Sequence, residues 1–150
     1  MLQVMNASIV LFSKNGSKEI KLQEFYKNDG IEKNLIKSSE FLVSINIPIN
    51  NEQKLHYKKL RVRQAIDFAS LGVALALDQQ QLRVGITGVD TKPIYKEFEL
   101  SEIQNAETIC MKAVSPLKQD FYPPAYRKKM VKVFIEQGLK EISQKVTRKG

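Results

Sequence analysis

Four basic residues, Lys58, Lys59, Arg61 and Arg63, fall within six consecutive positions, the densest run of potential ligand chemistry before the C-terminal helix pattern. If residues 57–63 form a strand, side chains 59, 61 and 63 share one face at about 6.7 Å spacing, a row of cations able to line a phosphate or nucleotide groove. The competing reading is a solvated edge strand whose lysines discourage sheet-to-sheet aggregation. His56 is the only histidine and Cys110 the only cysteine. A Ser-His-Asp or Cys-His arrangement would have to be built on these two, and no spacing supports one. His56 reads as a linker or strand-end residue, and Cys110 as a small core residue on the apolar face of a helix. Asp67 and Asp78 are single carboxylates with no evident partner, better read as turn anchors or helix caps. No Walker or Rossmann phosphate loop is present, because Gly85-Ile-Thr-Gly88 lies in a strand pattern and not at the mouth of a helix. No catalytic residue and no metal site emerges.

At 150 residues the chain is one domain, or one domain with an appended piece, long enough to bury a core. A lone cysteine excludes an intramolecular disulfide framework and any multi-cysteine zinc or iron–sulfur site within the chain, and suits a reducing cytoplasm. The N-terminus lacks the basic and long apolar segments of a secretory signal. The longest uninterrupted apolar stretch, Val73-Ala-Leu-Ala-Leu77, is far short of the roughly 20 residues that span a bilayer, so a soluble cytoplasmic protein is expected. The net charge of +8 favours an acidic partner such as a phosphate, a nucleic acid or another subunit without choosing among them.

The elements that must position these residues follow from periodicity. An apolar run with Ile9 and Leu11 meets Lys14-Asn-Gly-Ser17, where Asn-Gly would supply the positive φ angles of a tight hairpin, and Lys18-Glu-Ile-Lys-Leu22 returns. Phe41-Leu-Val-Ser-Ile-Asn-Ile-Pro48 is a third strand, closed by a proline that cannot donate to a ladder. Residues 57–63, 71–77 and 82–89 are read as an antiparallel meander, with the turn between the last two at Asp78-Gln-Gln-Gln81; the apolar run 71–77 fits a strand or a short buried helix by period, and strand is preferred. Ser101, with Gln104 three residues on, reads as the cap of a helix whose inner face is Ile103, Ala106, Ile109, Cys110, Ala113 and Val114. Pro124 opens a second helix, with Val131, Phe134, Ile135, Gly138, Leu139, Ile142 and Val146 at spacings of three and four. Strands followed by helices predict an α+β fold: an antiparallel sheet of three to four strands packed against two C-terminal helices, preceded by a short β-rich piece.

The order of these segments resembles the C-terminal part of the FAD-binding, or medium, subunit of molybdenum hydroxylases, the carbon monoxide dehydrogenase and xanthine dehydrogenase group. The likeness runs from Asn6 to Ser143. It is carried by Asn6-Ala-Ser-Ile-Val-Leu-Phe-Ser-Lys-Asn-Gly16, by Leu22-Gln-Glu-Phe25 and by Glu40-Phe-Leu-Val-Ser-Ile-Asn-Ile-Pro48. Further on it is carried by Tyr57-Lys-Lys-Leu60 with Arg63, Ala65, Asp67 and Ala69, by Gly88-Val89 with Pro93, and by Pro116, Asp120, Pro124, Tyr126, Arg127 and Met130. Asp90 stands where the family usually has alanine, and the helices are lysine-rich where many members have alanine.

The resemblance implies that residues 1–48 are a remnant of the second FAD-binding lobe and residues 49–150 the flavoprotein C-terminal domain. It implies an electron-transfer role in which Lys59 approaches the cofactor, Asp67 and Phe68 belong to the segment that covers the flavin, and Arg63 lies close by on the same strand. The family's Ala-Gly-Gly and Thr-x-Gly-Gly phosphate loops have no counterpart here, so FAD is expected to bind tightly only with a partner that supplies them, and the chain is not expected to be catalytic alone. The implied partners are a separately encoded N-terminal FAD half, an iron–sulfur subunit and a molybdenum subunit, with a homodimer as an alternative and no membrane. A basic nucleic-acid-binding module and an orphaned domain with a structural or regulatory role are the competing functions. Nucleic acid is the weaker of the partner readings because no RNA-binding motif is recognisable and stacking aromatics are few.

Overall fold

The computed structural model describes residues 1–27, 31–63, 66–118 and 121–147. Ala65, Asp120 and the side chain of Val146, named above, lie outside the described residues. The fold is α+β, as expected. Strands β1 (Ser8–Ser13), β2 (Gly16–Lys21) and β3 (Phe41–Asn46) form a three-stranded antiparallel sheet in the order β2-β1-β3. A second antiparallel sheet contains β4 (Lys54–Leu60), β5 (Leu71–Leu77), β6 (Gln81–Thr87) and β7 (Ile94–Glu99) in sequence order. Two helices follow, α1 (Ala106–Ala113) and α2 (Pro124–Thr147).

The hairpin between β1 and β2 closes with Ser13 opposite Gly16, leaving Lys14 and Asn15 as a two-residue loop. Only Gly16 takes a positive φ there, at 108°, so the expectation that Asn15 would share it is corrected. A glycine just past the two loop residues does the work a primed turn would otherwise assign to both. Ile9 and Leu11 of β1 pack with Ala7, Leu22 and Phe25 into a small core under one face of this sheet.

The second sheet is covered on both faces by different means. Leu71, Val73 and Leu75 of β5 and Leu82, Val84 and Ile86 of β6 point toward α1 and α2, where Cys110, Val131, Phe134, Ile135 and Ile142 meet them. The alternate residues on β5 and β6 are Gly72, Ala74, Ala76, Arg83 and Gly85. The small size of the glycines and alanines among them leaves room for a 3₁₀ turn, Leu2–Met5, whose fully buried Val4 packs on Ala74 and Ala76. Arg83, itself buried, donates from Nε to the Val4 carbonyl at 2.9 Å and from Nη2 to Asp78 Oδ2 at 2.7 Å. Asp78 also receives the N–H groups of Gln80 and Gln81, so it is a turn anchor, as expected, but one with a charged partner five residues along the chain.

The structure corrects two element boundaries, one inward position and the strand count. β4 ends at Leu60, so Arg61 and Arg63 are not strand residues. Ser101 does not cap a helix: it lies inside a 3₁₀ stretch, Leu100–Asn105, and α1 starts at Ala106. Ile109 is more than a third exposed, unlike the other expected inward positions of α1. β7 is an added strand, with Ile94 and Phe98 buried.

Candidate functional site

The four residues singled out as cofactor-facing lie on β4 and on the loop at residues 61–70 that joins it to β5. Lys59 shares its sheet face with Tyr57, two residues earlier, and its ammonium sits 5.5 Å from the Tyr57 ring centroid, within reach of a cation–π contact. Both lie on the face turned away from α1 and α2, because Lys59 pairs with Gly72 and Tyr57 with Ala74. Gly72 lets these side chains lie close: a Cβ there would come 2.8 Å from Thr87 Oγ1 and 3.3 Å from the Tyr57 hydroxyl, so both tips would have to shift.

Arg63, Asp67 and Phe68 belong to the loop. Asp67 Oδ2 accepts from the backbone N–H of Arg63 at 2.8 Å and of Val62 at 3.1 Å, and its other oxygen lies 3.7 Å from Nη2 of the mostly exposed Arg63 guanidinium. The Arg63 N–H does most to hold the Asp67 carboxyl below its ordinary range, against an opposing effect of desolvation and with help from the Arg63 charge. Asp67 therefore serves as the turn anchor expected of a lone carboxylate. Phe68 is 97 % exposed, and so is Ile66, which takes φ 44°, a left-handed conformation costly for a β-branched residue. With Asp67 they line a recess of about 190 Å³.

The loop is exposed at its tip yet braced at its base. Ser70 N–H donates to Leu60 O at 2.9 Å, closing the hairpin. The Tyr122 hydroxyl donates to Arg61 O at 3.2 Å, and the Tyr122 ring stacks on Tyr126 with centroids 5.4 Å apart. Gly88, at φ 81°, is pressed so closely against Ser70 that a Cβ would meet its carbonyl oxygen at 2.5 Å. Arg127 of α2, 2 % exposed, donates to the carbonyls of Gly88 and Leu117. Tyr122, Gly88 and Arg127 are therefore the supports of the loop. Tyr122 had no distinguishing signal in the sequence, whereas Gly88 and Arg127 stood out only through the family likeness.

The structure brings Arg63, Asp67 and Phe68 onto one loop and leaves Lys59 on the adjoining strand. It does not build the row of Lys59, Arg61 and Arg63, because the chain leaves the strand after Leu60, so the phosphate groove drawn from strand spacing is not formed. His56 is buried inside β4, not in a linker or at a strand end, with Nδ1 3.0 Å from Glu141 Oε2 on α2. Cys110 is a buried core residue, and desolvation pushes its thiol up to about 11. Among the described residues no group of three or more His, Cys, Asp or Glu side chains could hold a metal ion, and no helix is long and apolar enough to cross a membrane.

No protein-family model matches the chain. It is 28 % identical over 158 aligned positions to the glyceraldehyde dehydrogenase medium chain of Sulfolobus acidocaldarius, covering 95 % of this chain and 55 % of that one. Its fold superposes on a chain of the reconstituted CO dehydrogenase from Oligotropha carboxidovorans with a TM-score of 0.78 at 19 % identity, over 93 % of this chain and 53 % of that one. A chain of quinoline 2-oxidoreductase from Pseudomonas putida 86 gives 0.76 at 17 %, over 95 % and 54 %. The chain thus spans about half the length of the relatives it matches. The chain is similar in sequence to a medium chain of glyceraldehyde dehydrogenase, and it shares its α+β fold with chains of CO dehydrogenase and quinoline 2-oxidoreductase.

Proposed function

We propose that the chain is the C-terminal module of a molybdenum hydroxylase flavin subunit, forming part of the wall that covers FAD and contacts to the iron–sulfur and molybdenum subunits. In this reading residues 49–150 are the flavoprotein C-terminal domain and residues 1–48 the end of the second FAD lobe. The observation that carries it is the loop at 61–70. Two large apolar side chains, Ile66 and Phe68, are held almost wholly in solvent on a backbone fixed at its base, an arrangement with a hydrophobic cost unless something flat and apolar covers them. A flavin ring fits that surface, with Phe68 and Ile66 against the ring and the cations of Lys59 and Arg63 at its margin. Nothing in the sequence fits the pyrophosphate, which needs a glycine-rich loop or a helix N-terminus built for it.

Bound FAD would supply the redox chemistry; this chain's residues would orient the ring and exclude water from one side of it. The substrate oxidised by the assembly would be set in another subunit. The test is a flavin-fluorescence titration of FAD against the chain alone and against the chain mixed with a protein carrying the missing phosphate loops. Binding only in the mixture is expected, weakened about 5- to 150-fold by Phe68→Ala, since a lost aromatic stack costs about 1–3 kcal/mol. Absence of binding in a mixture of folded proteins would remove the flavin role.

A further inference from the structure

The 3₁₀ turn at Leu2–Met5 buries an amide as well as an apolar anchor. Val4 seats the turn on the second sheet, and the residue before it, Gln3, is drawn down with it to 7 % exposure. The Gln3 side-chain amide makes no hydrogen bond among the described residues. Its neighbour Gln23 does not serve it. Gln23 Nε2 donates to the Gln3 backbone carbonyl at 3.0 Å and to Asn6 Oδ1 at 3.2 Å, and Gln23 Oε1 is buried without a partner. An amide withdrawn from bulk water with no protein partner has a cost, so what lies beside it decides its role.

Gln3 lines a cleft of about 360 Å³ at the seam between the two sheets. Small-molecule sites usually occupy about 300–1,000 Å³ and favour such seams. The same cleft is lined by Asp90 and Lys92, from the turn between β6 and β7, and by Tyr95 and Lys96 of β7. Lys92 and Lys96 are exposed and make no ion pair among the described residues. The Tyr95 hydroxyl donates to Glu97 Oε1 at 2.6 Å, so its proton is already committed. Asp90 Oδ1 accepts from the Thr91 N–H at 2.7 Å, and a carboxylate has capacity for further donors.

Two ammonium groups against one carboxylate leave the cleft with an excess of positive charge, which selects an anion. An anion alone would leave the Gln3 amide half used and lie near the Asp90 carboxylate. Hydroxyl groups answer both, because each can donate to Asp90 and exchange donor and acceptor roles with the amide. We propose that this cleft binds a sugar phosphate, its phosphate monoester between Lys92 and Lys96 and its hydroxyls on the Gln3 amide and the Asp90 carboxylate. The site shares no residue with the loop at 61–70, and the inference does not rest on the flavin reading.

The experiment titrates the isotopically labelled chain at low salt with ribose 5-phosphate, and separately with inorganic phosphate and with ribose, following backbone and side-chain amide resonances by NMR. Saturable shifts at the Gln3 side-chain amide and at residues 90–96 are expected with ribose 5-phosphate, with inorganic phosphate and ribose each binding at least tenfold more weakly. Lys92→Ala should weaken binding about tenfold or more, the usual loss for a hydrogen bond to a charged group. Gln3→Glu, which sets a carboxylate where the hydroxyls must sit, should abolish binding, and Lys58→Ala, on β4, should leave it unchanged. Thermal melts establish that each variant folds; Lys92 is exposed, so its variant carries the test should Gln3→Glu fail to fold. Inorganic phosphate binding as tightly as ribose 5-phosphate would reduce the cleft to charge attraction and overturn the proposal. Absence of saturable shifts, shifts centred outside the cleft, or binding that survives Lys92→Ala undiminished would also overturn it.

Discussion

Asp67 looked inert in the sequence because its value lies in backbone partners that no motif announces. Its carboxylate gathers the N–H groups of Val62 and Arg63 and so sets the turn from which Ile66 and Phe68 project. Its folded-state pKa is lowered, so the turn's stabilisation is fully present above the unfolded carboxylate value and is lost only as pH falls through the lower folded value. The Arg63 amide resonance, followed by NMR, should accordingly shift with a midpoint below the ordinary aspartate range, and Asp67→Asn should abolish that inflection. Phe68 was legible only through resemblance, since a lone aromatic carries no pattern of its own, whereas Lys59 was picked out by its basic cluster, though as part of a row that the structure does not form. The Arg63 and Arg61 positions were misread for a definite reason: alternation continued past Leu60 on paper, while Ser70 N–H closes the hairpin on the Leu60 carbonyl and turns the chain out of the sheet. His56 and Glu141, 85 residues apart, could not have been paired from spacing.

Elements with strong period were read well, those with mixed signals poorly. The apolar runs of β5 and β6, buried on both faces, and the three-four repeat of α2 fall where the sequence pattern puts them. β7 was missed because Ile94 and Phe98, its two buried apolar residues, are four apart with Lys96 and Glu97 between them, a spacing that imitates a helix. Ser101 carried a helix-start signature, yet no side chain caps this stretch and the chain makes a 3₁₀ segment first. On α2 the glycine at 138 marks the closest approach to the sheet: a Cβ would lie 2.8 Å from His56 Cδ2 and 2.9 Å from Leu75 Cδ1. Alanine there would gain about 1 kcal/mol of helix propensity, but overpacking costs about 1–3 kcal/mol. Gly138→Ala should therefore be neutral to destabilising and Gly138→Val clearly destabilising, as read by urea unfolding.

At the scale of the whole molecule, the two sheets are held together by their least conspicuous segment. The 3₁₀ turn at Leu2–Met5 belongs by sequence to the first sheet and by contact to the second, and Arg83 grips it through the Val4 carbonyl. Nothing in the first five residues, Met1-Leu-Gln-Val-Met5, announces this; it needs the small residues of β5 and β6, which read only as a buried strand pattern. Deleting residues 1–5 should forfeit the burial of Val4, about 1.5–3 kcal/mol, and leave a buried Arg83 donor unmet, about 1–3 kcal/mol more. A drop in melting temperature, with the first sheet now unfolding ahead of the second because the segment that joins them is gone, is the expected result. The same seat also bears on biosynthesis. Residues 2–5 leave the ribosome well ahead of β6, and the surface that receives Val4 is not complete until β6 has emerged, so this segment must wait unseated while everything between the two is translated.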